Sequence, residues 1–69
     1  MDFALEGSEF IELKNLLKVM SLVESGGEAK AAIEAGDVKV DGVVETRKGR
    51  KLRNGQTVTF KNKTITISE

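Results

Sequence analysis

The chain is 69 residues long, carries 11 basic and 11 acidic side chains, and contains no Cys, His, Tyr or Trp. This length predicts one domain, residues 1–69, whose small core is stabilised by packing alone, because the thiols of a disulfide and the usual zinc ligands are missing. The common nucleophile–base pairs cannot be assembled either, so we expect no enzymatic activity, no cofactor and no metal. No segment reaches the ~20 apolar residues of a membrane span and no signal peptide is present, which predicts a cytoplasmic protein without membrane contact.

The pattern changes from irregular to helical at Leu13. Residues 1–11 alternate apolar and polar side chains in places, which predicts one or two short strands interrupted at Gly7. Apolar side chains then recur at helical spacing, at Leu13, Leu16, Leu17 and Met20. On another face of this helix Lys14 and Lys18 lie one turn apart, as ordinary surface lysines or as contacts to one phosphate strand.

A second helix is predicted after Ser25. Ser25 and Glu28 have the spacing of a capping box, in which the two residues satisfy each other's free backbone N–H groups. The helix then has a narrow apolar stripe of Ala29, Ala32 and Ile33. Gly36 suits the left-handed position that follows the end of a helix. The small side chains of the stripe allow the two helices to pack closely.

The C-terminal half predicts short strands joined by tight turns. Segment 38–40 alternates, and the Asp41-Gly42 pair after it is typical of a type I′ hairpin turn, with a return strand that ends near Thr46. A second turn is predicted at Asn54-Gly55. Alternation predicts two further strands, at residues 58–60 and 65–67.

Together these elements predict an α+β fold. The connection at residues 21–24 is too short to separate the helices, which should form a hairpin packed on a small, mainly antiparallel β-sheet. The alternation also assigns Phe10 and Phe60 to the core. That assignment leaves Phe3 as the one other aromatic side chain, too few for a platform on which single-stranded bases stack.

A dense basic segment, Arg47 to Arg53, precedes the last strands. It carries five positive charges in seven residues, and because unpaired charges are costly to bury, we expect the segment to face water or an anion. Seven basic and no acidic residues lie between Thr46 and Ser68, whereas four acidic and no basic residues precede Lys14. The neutral total is therefore compatible with one basic face for a polyanion, or with a solvated turn that keeps a small domain soluble.

One set of spacings runs from Ser25 to Gly42 and reads Ser-x-x-x-Ala-Lys-x-x-Ile-x-x-Gly-x-Val-x-Val-Asp-Gly. This pattern resembles the S4 RNA-binding domain. With the continuation through the basic segment, the chain is most similar to the stand-alone S4-like proteins of bacteria, and the resemblance covers about residues 13–60. Many S4 domains have an Arg directly after the motif serine, where this chain has Gly26, so one phosphate contact of the family is missing.

The resemblance implies an S4-like αL motif, in which the helix pair and the following basic loop bind structured RNA, often ribosomal RNA. Without exposed aromatics, recognition would use phosphates, 2′-hydroxyls and the shape of the folded RNA. Carried over by position, the resemblance implicates Lys30, Arg47, Lys48, Arg50 and Lys51. Four further candidates for RNA binding follow from their charge and their predicted positions alone: Lys14, Lys18, Lys39 and Arg53.

Two other interpretations stay open. The protein could be an interaction module in which the acidic N-terminal segment or an exposed sheet edge binds a protein. The basic segment would then only keep the domain soluble or complement an acidic patch. The zero net charge and Gly26 motivate this alternative. A ribosome-associated assembly factor, with a ribosomal or other protein partner, would combine both surfaces. A monomer is expected in each case.

Overall fold

The structure, a computed structural model, describes all residues from Met1 to Glu69. In chain order the elements are β1 Asp2–Ala4, β2 Ile11–Glu12, α1 Leu13–Val19, α2 Gly26–Glu34, β3 Val38–Val40, β4 Val43–Val44, β5 Lys51–Leu52, β6 Thr57–Phe60 and β7 Lys63–Ser68. The predicted α+β class, with a helix pair on a small sheet, is confirmed. Neither helix has the length and apolar character that a membrane crossing requires.

The strands form two separate sheets. The larger has five strands in the order β1-β7-β6-β3-β4, and its neighbours are antiparallel except for β1, which runs parallel to β7. The second is a two-stranded antiparallel ribbon in which Ile11 of β2 faces Leu52 of β5 and Glu12 faces Lys51. The ribbon was not predicted, and it places part of the basic segment, Arg47 to Arg53, in regular structure.

One cluster of 14 buried apolar residues forms the core between the helices and the larger sheet. The predicted stripes supply the helix side, through Leu13, Leu16, Leu17, Ala29 and Ile33. The sheet side comes from alternating positions in the strands. In β3, for example, Val38 and Val40 are buried and Lys39 is exposed. Burial of this apolar area is the main term that stabilises the fold.

Local turn chemistry fixes the ends of the elements. Asp41 and Gly42 have φ of 52° and 84° and join β3 to β4 in the predicted two-residue hairpin. Ser25 Oγ accepts a hydrogen bond from the N–H of Glu28 at 3.2 Å, as a capping box requires. The Glu28 carboxylate, however, accepts from the N–H of Glu24 at 2.7 Å rather than from that of Ser25, so the cap reaches one residue further back than predicted.

Candidate nucleic-acid interface

The basic segment is attached to the start of α1 through its backbone. The N–H of Leu13 donates to the carbonyl of Arg50 at 2.9 Å, and the N–H of Lys14 donates to the carbonyl of Lys48 at 3.1 Å. The first N–H groups of a helix have no partner within it, so these bonds satisfy donors that would otherwise need water. Leu52 is fully buried and anchors the C-terminal part of the segment. The backbone is therefore held in place while the charged side chains stay outside.

Glu45 is the one charged residue that is buried, with 8% of its surface exposed. Its Oε2 accepts from Nε of Arg47 at 3.0 Å and from the Arg47 N–H at 3.1 Å. Its Oε1 accepts from Nη1 of Arg50 at 2.9 Å and from Nη2 of Arg47 at 3.3 Å. The side-chain bond from Arg47, together with the other bonds, lowers the pKa of Glu45 from 4.5 to about 2, although desolvation opposes the shift.

The two ion pairs show that part of the anion that the basic segment was expected to face belongs to the protein itself. Arg47 and Arg50 both pair with Glu45, and these are the two salt bridges in the molecule. The hairpin register explains why Glu45 points inward: Lys39 faces Val44, so the next position faces buried Val38, and the Glu45 N–H donates to the Val38 carbonyl at 2.9 Å. None of the acidic residues that precede Lys14 forms an ion pair with the basic segment.

A concave surface of about 450 Å³ opens above the basic segment and is lined by Arg47, Gly49, Arg50 and Lys51, with no apolar residue among them. The side chain of Arg47 is 74% exposed, and its guanidinium has more N–H donors than Glu45 occupies. A Cβ at Gly49 would lie 3.6 Å from Oε2 of Glu12, so a second carboxylate borders the surface. The arrangement offers fixed Arg donors and mobile Lys charges to an anion from solvent.

The remaining predicted cations lie on the two helices and on β3. Lys18 is one turn beyond Lys14 on α1, and its side chain lies against the start of α2: a Cβ at Gly26 would be 3.9 Å from Cδ and 4.0 Å from Nζ of Lys18. Its ammonium group therefore lies near the position where many S4 domains have an Arg. Lys30 is exposed on α2. Lys39 alternates with buried residues of β3, so it points away from the core and the helices.

Phe10 lies next to this surface, beneath the side chain of Lys51, and the prediction that it lies in the core is wrong. The ring is half-buried and lies outside the core cluster. Lys51 Nζ is 4.9 Å from the ring centroid, and Arg53 Cζ is 5.7 Å from it. Ile11, the next residue, packs against the core instead. Successive side chains of a strand point to opposite faces, so Phe10 turns outward.

Phe10, Glu12 and Glu45 were thus missed as parts of the site. Only Glu45 had a signal in the sequence, namely the register imposed by the Asp41-Gly42 turn. No group of His, Cys, Asp or Glu side chains in the molecule could hold a metal ion. The charge pattern grouped Lys61 and Lys63 with the basic segment, but Lys61 lies in the turn after β6 and Lys63 is the first residue of β7.

The chain matches the S4 domain family model over residues 3–68, and it belongs to that family. Membership favours a non-enzymatic role. The chain is 48% identical over 65 residues to the "Putative RNA-binding protein YbcJ" of Escherichia coli strain K12. The aligned region covers 94% of this chain and 93% of the relative. The chain has the same identity and coverage with the "Uncharacterized protein YbcJ" of Shigella flexneri.

A solved structure agrees with this assignment. The solution structure of YbcJ from E. coli, described as revealing an αL motif involved in RNA binding, superposes with a TM-score of 0.76 and 46% identity. The match covers 99% of this chain and 86% of that chain. The S4-like fold inferred from the sequence motif is therefore confirmed.

Proposed function

We propose that the protein is a non-catalytic RNA-binding module that recognises structured RNA through phosphate and shape contacts. The observation that carries this proposal is the basic segment, which is hydrogen-bonded to the start of α1 and forms a concave surface lined by Arg47, Arg50 and Lys51 and by no apolar residue. The name of the E. coli relative and the description of its solution structure, which both refer to RNA binding, support it.

The cations divide into two roles under this proposal. Arg47 and Arg50 are oriented by Glu45, so their guanidinium groups can fork onto phosphate oxygens in a fixed direction. Lys48 and Lys51 are exposed, make no ion pair, and act as mobile point charges. Lys14, Lys18, Lys30 and Arg53 extend the surface along the helix pair and the ribbon. Lys39 contributes least, because it points to the opposite face of the sheet.

Ribosomal RNA, a common partner of S4 domains, is the target that we propose. With an RNA partner, we expect the protein to act in the cytoplasm and as a monomer. We expect residues 1–69 to form one unit, because the buried residues form one cluster. Crosslinking in cells followed by sequencing of the attached RNA tests the target. Enrichment of ribosomal RNA is expected, and recovery of other RNA alone would contradict this part of the proposal.

The salt dependence of binding tests the mechanism. If about four to six phosphates are neutralised, the logarithm of the association constant should fall against the logarithm of salt concentration with a slope of roughly −3 to −5. Titration of a labelled hairpin RNA of ribosomal sequence at several salt concentrations measures this slope. A slope near zero, or no binding at low salt, would overturn the phosphate mechanism.

One observation favours the alternative of a protein-interaction module. The edge strand β4 exposes 69% of Val43 and 50% of Val44, and an open strand edge can pair with another chain. Affinity capture from lysate with and without nuclease separates the two functions. If RNA binding is the primary activity, captured partners should disappear after nuclease treatment. A defined partner that survives the treatment, and that a Val43→Lys variant fails to capture, would favour the alternative.

A further inference from the structure

The outer face of the β2–β5 ribbon carries an unusual combination of side chains. Ile11 and Leu52 turn inward, so their neighbours along the ribbon turn outward. The outward group consists of Phe10, Glu12, Lys51 and Arg53. An aromatic ring, two cations and a carboxylate therefore lie together next to the concave surface of the basic segment.

Phe10 differs from the other two aromatic residues of the chain. Phe60 is buried, and half-buried Phe3 packs against the core, whereas Phe10 is outside the core cluster and is not among the residues that pack on it. Its surroundings are cationic: Lys51 Nζ and Arg53 Cζ lie over the ring, at 4.9 and 5.7 Å from its centroid. Aromatic rings flanked by cations are the groups on which proteins stack unpaired bases.

The neighbouring groups are held in position to frame such a base. Arg53 Nη1 donates to the backbone carbonyl of Glu9 at 3.4 Å, and its planar guanidinium lies over the ring. Glu12 follows Ile11 in β2 and turns outward as Phe10 does, and its carboxylate borders Gly49. A carboxylate repels a phosphate but accepts hydrogen bonds from the amino group of a base. The ribbon face therefore suits a base, and the adjacent cationic surface suits its phosphate.

We propose that the outer face of the β2–β5 ribbon binds one unpaired RNA base, which replaces the Lys51 ammonium over the ring of Phe10, while its phosphate is held by Arg47, Arg50 and the displaced Lys51. This inference rests on the proposed RNA-binding function and deepens it, because the ligand becomes a folded RNA with an extruded or loop base rather than a continuous duplex. Base stacking would add affinity for such RNA beyond the phosphate contacts that every RNA offers.

The matched pair Phe10→Leu and Phe3→Leu tests the stacking contact, because both side chains are half-buried and the same ring is removed. Two probes are used: a hairpin RNA with an unpaired loop, and a fully paired RNA duplex of equal length. Phe10→Leu should weaken binding to the hairpin by about fivefold to a hundredfold relative to Phe3→Leu, the range expected for one stacked base. Its binding to the duplex should not change.

A fluorescence experiment gives a readout that does not depend on affinity. The chain has no Trp or Tyr, so Phe10→Trp introduces a unique fluorophore at the site, and Thr66→Trp places one on β7 of the other sheet as a control. Stacking predicts that saturating hairpin RNA quenches the emission at position 10 and that the duplex does not. The emission at position 66 should be unaffected by either RNA.

The outcomes separate the inference from the proposed function. Equal binding of both RNAs by the Phe10→Leu and Phe3→Leu proteins, or unquenched emission at position 10, would overturn the base site and leave the phosphate mechanism standing. Failure of the unmodified protein to bind either RNA would instead remove the proposed function, and the base site with it.

Discussion

Nη1 of Arg50 lies 2.9 Å from Oε1 of Glu45, and this bond joins the most basic part of the chain to its one buried carboxylate. Arg47 approaches the other oxygen of the same carboxylate at 3.0 Å. A buried carboxylate needs such partners, since an unpaired one would be strongly destabilising. Glu45 therefore connects the end of the β3–β4 hairpin to the basic segment, and it aims both guanidinium groups.

Glu45→Gln should destabilise the fold in a pH-dependent manner. The substitution removes the charge from a buried hydrogen-bonded group and should lower the free energy of unfolding at neutral pH by about 1–3 kcal/mol. The pKa of Glu45 is about 2 in the folded protein, below the ordinary 4.5, so its contribution is complete above pH 4.5 and is lost as the pH falls toward 2. Urea denaturation of both proteins across this range measures the difference in stability. It should shrink as the pH falls, and a difference that is constant with pH would contradict this role.

Arg47→Glu and Lys48→Glu should have different effects on stability, although they make the same charge change at neighbouring exposed positions. Arg47→Glu places a second carboxylate beside Glu45 and removes its main partner, so we expect it to lower the melting temperature. Lys48 makes no ion pair, and its substitution should leave stability within ~0.5 kcal/mol. Thermal unfolding compares the two. Equal melting temperatures would show that the Arg47–Glu45 pair does not stabilise the fold.

Ser25→Ala should destabilise α2. Ser25 Oγ accepts from the N–H of Glu28, and loss of an N-cap of this kind typically costs about 1 kcal/mol. In a domain of this size that loss corresponds to a fall in melting temperature of about 4–8 °C. Ser8→Ala is the matched control, because the side chain of Ser8 is exposed and makes no hydrogen bond. A melting temperature that falls equally in both variants would contradict the role of the cap.

Gly26→Arg should strengthen RNA binding without harming the fold. A side chain at position 26 would first meet the flexible end of Lys18, at 3.9 and 4.0 Å, which are ordinary contact distances. An added cation at the start of α2 should raise affinity for hairpin RNA severalfold and make the salt slope steeper by about 1. Gly26→Ala controls for the loss of glycine. If Gly26→Arg and Gly26→Ala bound the RNA equally well, the start of α2 would not be part of the interface.

The sequence predicted the elements whose signals are local and periodic. The stripes of α1 and α2, the Asp41-Gly42 hairpin and the last two strands all lie where the spacing of apolar residues and the turn chemistry place them. The register of that hairpin would also have placed Glu45 opposite Val38 and hence facing the core. The inward position of Glu45 was therefore a part of the site that could have been predicted from the sequence.

The β2–β5 ribbon could not be predicted in the same way. Each of its strands has two residues, too few to show a period, and the pairing joins Ile11 to Leu52 across most of the chain. Phe10 was therefore assigned to the wrong face, because adjacent Phe10 and Ile11 are both apolar and only the ribbon determines which one turns inward. The parallel pairing of β1 with β7 depends likewise on contacts between the two ends of the chain.

The most direct test of the proposed interface compares two double charge reversals with equal total charge. Lys48→Glu with Lys51→Glu alters the basic segment and leaves both Glu45 ion pairs intact, whereas Lys39→Glu with Lys63→Glu alters exposed lysines on the larger sheet. Fluorescence anisotropy with a labelled hairpin RNA should show a loss of affinity of about tenfold or more for the first protein and a much smaller loss for the second. Equal losses would mean that only overall charge matters, and retention of full affinity by the first protein would remove the basic segment from the interface.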